Sequence, residues 1–299
     1  MKPAAEATPR RVLLPARHYD LNATLASGQT FQFVLCEDQW EGVIGAQWVR
    51  LSQAGQAIQV EFAPGLPDLD AVADFLQCRI DLKAITRTFP KDAVLMKAIQ
   101  VCEGLRLLKQ DPWQCLASFI LSSTKQIVQI EQLVRTLSER YGARVPAPRE
   151  AVIRHAFPSA KALAVLTEQE LRQCKLGFRA PYLLGAARAV HERKIELNEL
   201  HTLSLSEARE HLMSLHGVGR KIADCALLFS GAQPGAFPVD VWIARALRRF
   251  YFDEAEVPLR ELERFTESHF GIHAGYAQQY LFHYTRVFEP FEPARSNRK

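Results

Sequence analysis

The sequence predicts an α+β protein, with a small antiparallel β-rich domain over residues 1–90 and a larger all-helical domain over residues 91–299. Three observations lead there. Short runs rich in aromatic and β-branched residues, separated by polar or glycine turns, fill residues 31–62. From about residue 90 the apolar residues take the helical period instead. Two of the later helices flank a glycine-bounded hairpin, LHGVGRK at 215–221.

The elements follow in order. FQFVL (31–35), the stretch from Trp40 to Gly45, QWVRLS (47–52) and IQVEF (58–62) read as strands, and DLDAVADFLQ (68–77) turns to helical spacing. Asp111 followed by Pro112 is an N-cap with proline at the first helical position. Ile127, Ile130, Leu133, Val134, Leu137 and Tyr141 form one apolar stripe that stops at Gly142. Ser204 and Glu207 make a capping box that opens a helix running to Leu215. After the hairpin, IADCALLF and then VWIARALRRF have helical spacing again. No internal repeat occurs, and only short polar ends such as PARSNRK lack a pattern.

With 299 residues, 48% of them hydrophobic and 23% charged, the chain has the composition of a soluble globular protein. Its net charge of +4 permits a polyanionic partner without demanding one. The six cysteines show neither a C-x-x-C pair nor a zinc spacing, which points to reduced thiols in an intracellular protein and to no metal. The N-terminus lacks the continuous apolar run of a signal peptide, and no segment approaches membrane-spanning length.

Lys221 stands in the first turn of the helix after the hairpin, at the positive end of the macrodipole, where a cation is disfavoured. An ordinary lysine would be a solvated surface residue; held neutral, its amine is a nucleophile able to form a Schiff base. Cys225 lies four residues on, hence on the same face. The hairpin residues Gly217, Val218 and Gly219 could make a plain helix–helix turn, or a concavity of backbone N–H groups suited to a phosphate. Asp240 is placed to cap the helix beginning at Val241. A carboxylate beside a neutral amine also suits cleavage of an N-glycosidic bond, one stabilising a sugar cation while the other captures C1′.

LHGVGRKIADC followed by FPVDVW (237–242) resembles the helix-hairpin-helix, Gly/Pro-rich loop and aspartate of the HhH-GPD DNA glycosylases. Three further segments resemble the 8-oxoguanine glycosylases among them: LASGQTFQF (25–33), RLLKQDPWQCLASFILSS (106–123) and HAGYAQQYLF (273–282). The similarity runs from about residue 12 to 290. It implies an N-terminal β-rich domain, a helical domain with a DNA-binding cleft, and a bifunctional glycosylase and AP lyase with Lys221 and Asp240 as its catalytic pair. It further implies that Phe282 and Cys225 sandwich a flipped base, that Gln278 meets its Watson–Crick edge, and that the Gly28 carbonyl accepts the N7–H that 8-oxoguanine has and guanine lacks.

Departures from the eukaryotic members are visible. Thr124-Lys125-Gln126 and Gln129 stand where those carry asparagines and an arginine that fill the vacated stack and read the opposite cytosine. Arg179 matches the second cytosine-reading arginine, Trp242 replaces a histidine that contacts phosphate, and Thr285 replaces that histidine's aspartate. Alkyladenine-type relatives lack the lysine, and endonuclease-III-type relatives carry an iron–sulfur cluster after it, whereas no cysteine follows Cys225 here. A non-catalytic DNA-binding module is the reading from a different class. The expectation is a monomer acting on duplex DNA with a damaged purine, without cofactor, in the nucleus of a eukaryote or the nucleoid of a bacterium.

Overall fold

The structure is a computed structural model that describes residues 9–63, 65 and 67–290. The chain's polar ends, including PARSNRK, lie outside the described residues. Five strands, β1 (Arg10–Pro15), β2 (Phe33–Cys36), β3 (Gln39–Ile44), β4 (Gln47–Ala54) and β5 (Ala57–Phe62), form one antiparallel sheet in the order β1-β5-β4-β3-β2. Helix α1 (Leu21–Ala26) interrupts them, and α2 (Leu69–Phe75) and α3 (Leu82–Thr86) follow. The helical part then runs α4 (Ala93–Val101), α5 (Pro112–Leu121), α6 (Ile127–Tyr141), α7 (Ala160–Ala164), α8 (Glu168–Gln173) and α9 (Ala180–His191). It ends with α10 (Leu205–Met213), α11 (Arg220–Phe229), α12 (Val241–Tyr251), α13 (Leu259–His269) and α14 (Ala274–Val287).

The fold class matches the sequence reading, with two corrections. Strand β1 is additional: it pairs with β5, Arg10 opposite Phe62 and Pro15 opposite Ala57. As an edge strand it fully buries Leu14 alone, so it carries no alternation to read. The chain after residue 90 is also not helical throughout. Residues 143–158 are irregular, with a bridge between Arg144 and His155, and this segment covers the second face of the sheet.

The sheet is therefore buried on both sides. On one face Val49, Leu51, Ile58, Val60 and Phe62 pack against Val72, Phe75 and Leu76. On the other, Val43 and Trp48 meet Val145, Ala151 and Ile153, and the Ile153 N–H donates to Glu41 Oε1 at 2.7 Å. Glu41 and Glu61 are buried there and share Arg50 at 3.4 Å each. Helix α5 is apolar all round and runs through the helical core, buried from Cys115 to Leu121. Its cap is as the sequence indicates, with the Gln114 N–H donating to Asp111 Oδ1.

Candidate active site

Ser204 and Glu207 close the capping box of α10, and the chain then turns through the hairpin into α11. The three hairpin residues do different things. Gly217 has φ +84°, and a Cβ there would stand 2.3 Å from the Tyr182 ring, so this glycine serves internal packing. Val218 is buried and its N–H donates to Leu215 O at 3.0 Å, which leaves that residue nothing to offer a phosphate. Gly219 is exposed, caps α11, and has open space where a Cβ would be. Among the described residues, the N–H groups of Gly217, Gly219 and the first turn of α11 have no hydrogen-bond partner, so these are the hairpin donors open to an anion.

Lys221 enters a cleft of about 990 Å³ bounded by α5, α6, α11, α12 and α14. Its Nζ donates to Ser122 Oγ at 2.9 Å and lies 5.4 Å from the centroid of the Phe119 ring. Asp240 lines the same cleft and caps α12, its Oδ1 accepting from the Ile243 N–H at 2.8 Å. Burial pushes the Asp240 carboxyl above its ordinary value, against the opposing pull of the Ile243 N–H, the Lys221 charge, the Trp242 N–H and Arg286. The carboxylate that caps α12 therefore also faces the cleft. Cys225 is buried one turn beyond Lys221, and burial pushes its thiol up to about 12, so it presents an uncharged, polarisable face.

The expected base-pocket residues come together. Gly28, Cys225, Gln278 and Phe282 all line the cleft. Gly28 adopts φ +76°, and a Cβ on it would strike Ile127 Cδ1 at 2.7 Å. Its neighbours hold it still: the Gln279 amide donates to Ser27 O, while Gln29 donates to Thr24 O and Arg106 O and accepts from the Leu108 N–H. Gln278 is buried, and its Oε1 has no hydrogen-bond partner among the described residues. A buried acceptor left unpaired costs stability, and a ligand donor in the cleft would satisfy it.

The residues expected to face the opposite strand divide. Thr124 lines the cleft mouth with φ +55°, and Trp242 is exposed on the first turn of α12. Gln129 is exposed, but its Oε1 accepts from the Gln126 N–H in a capping box of α6. Arg179 is buried and its donors are spent inside the protein, on Ser123 O, Leu176 O and Thr124 Oγ1. Its guanidinium also sits 4.3 Å from the centroid of Phe178, a half-exposed ring. In this state Arg179 braces the 122–124 loop, and reading a base would require it to exchange those partners.

Three cleft residues escaped the sequence reading. Ser122 stands 99 positions from Lys221, and no local pattern joins them. Phe119 was quoted within a motif without a role. Arg286 follows Phe282 by one helical turn, a spacing that could have flagged it, and lies 5.2 Å from that ring.

Residues 11–116 match the 8-oxoguanine DNA glycosylase N-terminal domain, and residues 117–269 match the HhH-GPD superfamily base excision DNA repair protein. The N-glycosylase/DNA lyase OGG1 of Arabidopsis thaliana is 32% identical, over 92% of this chain and 80% of its own. The structure of MBOgg1 with a low-affinity DNA ligand superposes with a TM-score of 0.87 at 33% identity, covering 96% of this chain and 99% of that one. The 8-oxoguanine glycosylase/lyase of Clostridium acetobutylicum, bound to duplex DNA with cytosine opposite 8-oxoguanine, superposes with a TM-score of 0.84 at 27% identity, covering 95% and 99%.

Proposed function

The chain belongs to the HhH-GPD superfamily of base excision DNA repair proteins and carries the N-terminal domain of the 8-oxoguanine glycosylases, and from that premise we propose a mechanism built on Lys221 and Asp240. The protein is a DNA N-glycosylase and lyase that removes 8-oxoguanine from duplex DNA, working on DNA inside the cell.

The damaged nucleotide leaves the stack and enters the cleft, its base between the Cys225 thiol and the Phe282 ring. The Gly28 carbonyl accepts the N7–H of the lesion. Guanine would bring a lone pair against that oxygen instead, which is where the two bases separate in energy. Gln278 fills its open hydrogen-bonding capacity on the Watson–Crick edge. The Lys221 amine, oriented through Ser122, attacks C1′ with its lone pair as the C1′–N9 bond breaks and that bond's electron pair leaves with the base. The ionised Asp240 carboxylate stabilises the positive charge that develops on the sugar. The attached nitrogen gives up a proton to the departing base, and the C1′–O4′ bond opens with O4′ taking a proton from water, which leaves a protonated Schiff base. Removal of a C2′ proton then expels the 3′ phosphate, and water releases the enzyme from the product.

The observation that carries this reading is the meeting, in one cleft, of an amine and a half-buried carboxylate, with Cys225 and Phe282 lining the same cleft. Borohydride trapping on a duplex with one 8-oxoguanine opposite cytosine tests it. Wild type should give a covalent adduct on the damaged duplex alone, and Lys221→Gln should give none while still binding. Robust base release by Lys221→Gln would remove Lys221 from the nucleophile's role.

A further inference from the structure

Arg286 has no part in the mechanism above, yet it lines the same cleft. It sits at a junction. Its Cζ is 5.2 Å from the centroid of Phe282, and its NH1 lies 3.6 Å from where a Cβ on Gly28 would stand. Ring stacking and lesion recognition are thus assigned to groups that both border this guanidinium.

Among the described residues the guanidinium has no hydrogen-bond or ion-pair partner, and its one contact of note is the Phe282 face. The residue beside it offers no counter-charge: Thr285 is buried, and its hydroxyl donates to Leu281 O at 2.7 Å. Burial lowers the Arg286 pKa, and the Asp240 carboxylate opposes that shift. By contrast Arg179, Arg209 and Arg248 are each hydrogen-bonded inside the protein.

A half-buried cation with open donors is best repaid by an anion. The oxopurine is neutral and already has the Gly28 carbonyl and the Gln278 amide. The full negative charges of the ligand are its phosphates, whose oxygens match the guanidinium fork. Lys221 must be uncharged when it attacks, so it cannot hold the backbone at the reaction centre. Resting on the glycosylase reading of the cleft, we infer that Arg286 binds a phosphate flanking the flipped nucleotide, using the Phe282 ring as the platform for its flat face. The stacking ring is thereby braced from behind as the phosphate seats, which couples backbone capture to closure of the base slot.

The test is binding in the Lys221→Gln background, which prevents turnover. Lesion duplexes would carry a charge-neutral methylphosphonate at one or the other phosphate flanking the 8-oxoguanine, and affinity would be followed against salt. Neutralising one of these phosphates should weaken Lys221→Gln protein and leave Lys221→Gln/Arg286→Ala protein unaffected. The double variant should bind the unmodified lesion duplex roughly tenfold to a hundredfold more weakly, as for loss of one charged hydrogen-bond pair. Its log–log salt slope should be shallower by about 0.9, the contribution of one phosphate. Arg286→Lys should keep the slope and lose part of the affinity, which separates charge from folding. An unchanged slope with undiminished sensitivity to both methylphosphonates would overturn the inference. So would a result in which Arg286→Ala moves only the acid limb of the excision rate, because Arg286 would then serve Asp240. Failure of the underlying reading looks different: Lys221→Gln protein would not prefer the lesion over undamaged duplex at all.

Discussion

Asp240 caps a helix and, in the proposed mechanism, must be ionised to stabilise the sugar cation. Burial raises its pKa above the ordinary aspartate value of 3.8, and nearby N–H groups and cations limit the rise. The excision rate should therefore fall with decreasing pH at a higher pH than a free aspartate would give, and single-turnover rates against pH locate that limb. The stability effect has the opposite sense. A raised carboxyl pKa means the folded state holds the proton more tightly, so this group's contribution to stability declines as pH rises from the ordinary aspartate range through the folded value. Asparagine caps a helix about as well as aspartate. Asp240→Asn should accordingly cost roughly 10²–10³ in rate, the scale of one electrostatic stabiliser, while melting at neutral pH is not lowered. Substantial unfolding of that variant would show that the carboxylate is chiefly structural.

The unit formed by α10, the hairpin and α11 is held by a partly buried charge cluster whose members do not line the cleft. Arg209 Nε donates to Asp224 Oδ1 at 2.8 Å, and Arg220 joins Asp224, Glu263 and Glu267 at 3.7, 3.5 and 2.6 Å. Asp224 is 1% exposed, so removing it leaves the buried Arg209 only the exposed Glu267, 3.6 Å away. Asp224→Ala should cost about 3–5 kcal/mol, the range for breaking a buried pair, as read by chemical denaturation. A loss below 1 kcal/mol would mean that water repays the arginines. The hairpin glycines should separate in the same unit. Gly217→Ala combines a positive φ with a clash on Tyr182 and should destabilise by about 1–3 kcal/mol. Gly219→Ala has space and an ordinary extended backbone, so it should fold normally and weaken DNA binding. Equal effects of the two on stability would contradict this division.

At the scale of the molecule, the sheet and the helical core are joined through the loop that carries Gly28. Gln29 is 1% exposed and satisfies Arg106 and Leu108 of the approach to α5, while Gln110 donates to Gln29 O and Gln279 of α14 donates to Ser27 O. The Gly28 carbonyl, the lesion reader in the proposed mechanism, is thus positioned by contacts from both parts of the chain. Gln29→Ala leaves several buried groups unpaired and should cost about 3 kcal/mol. It should also erode the preference for 8-oxoguanine over guanine, measured as the ratio of excision rates. Lost stability with the ratio intact would confine Gln29 to the fold.

What was legible in the chain alone was whatever local spacing encodes. The capping box of α10, the Asp111 cap, the stripe of α6, four of the five strands, and the pairings of Lys221 with Cys225 and of Gln278 with Phe282 depend on residues a few positions apart, where a single backbone period sets which side chains share a face. The motif resemblance extended that reading to a catalytic pair and a base pocket. Tertiary structure decided the rest. Lys221 finds Ser122 at a separation of 99 residues, and Gln279 finds Ser27 at 252. Arg179 spends its donors on its own loop, Val218 turns inward, and Arg286 lies beside Phe282 with no hydrogen-bond partner among the described residues. No periodicity records such pairings, because which donor meets which acceptor is set by how the elements pack, and packing is a property of the whole chain at once.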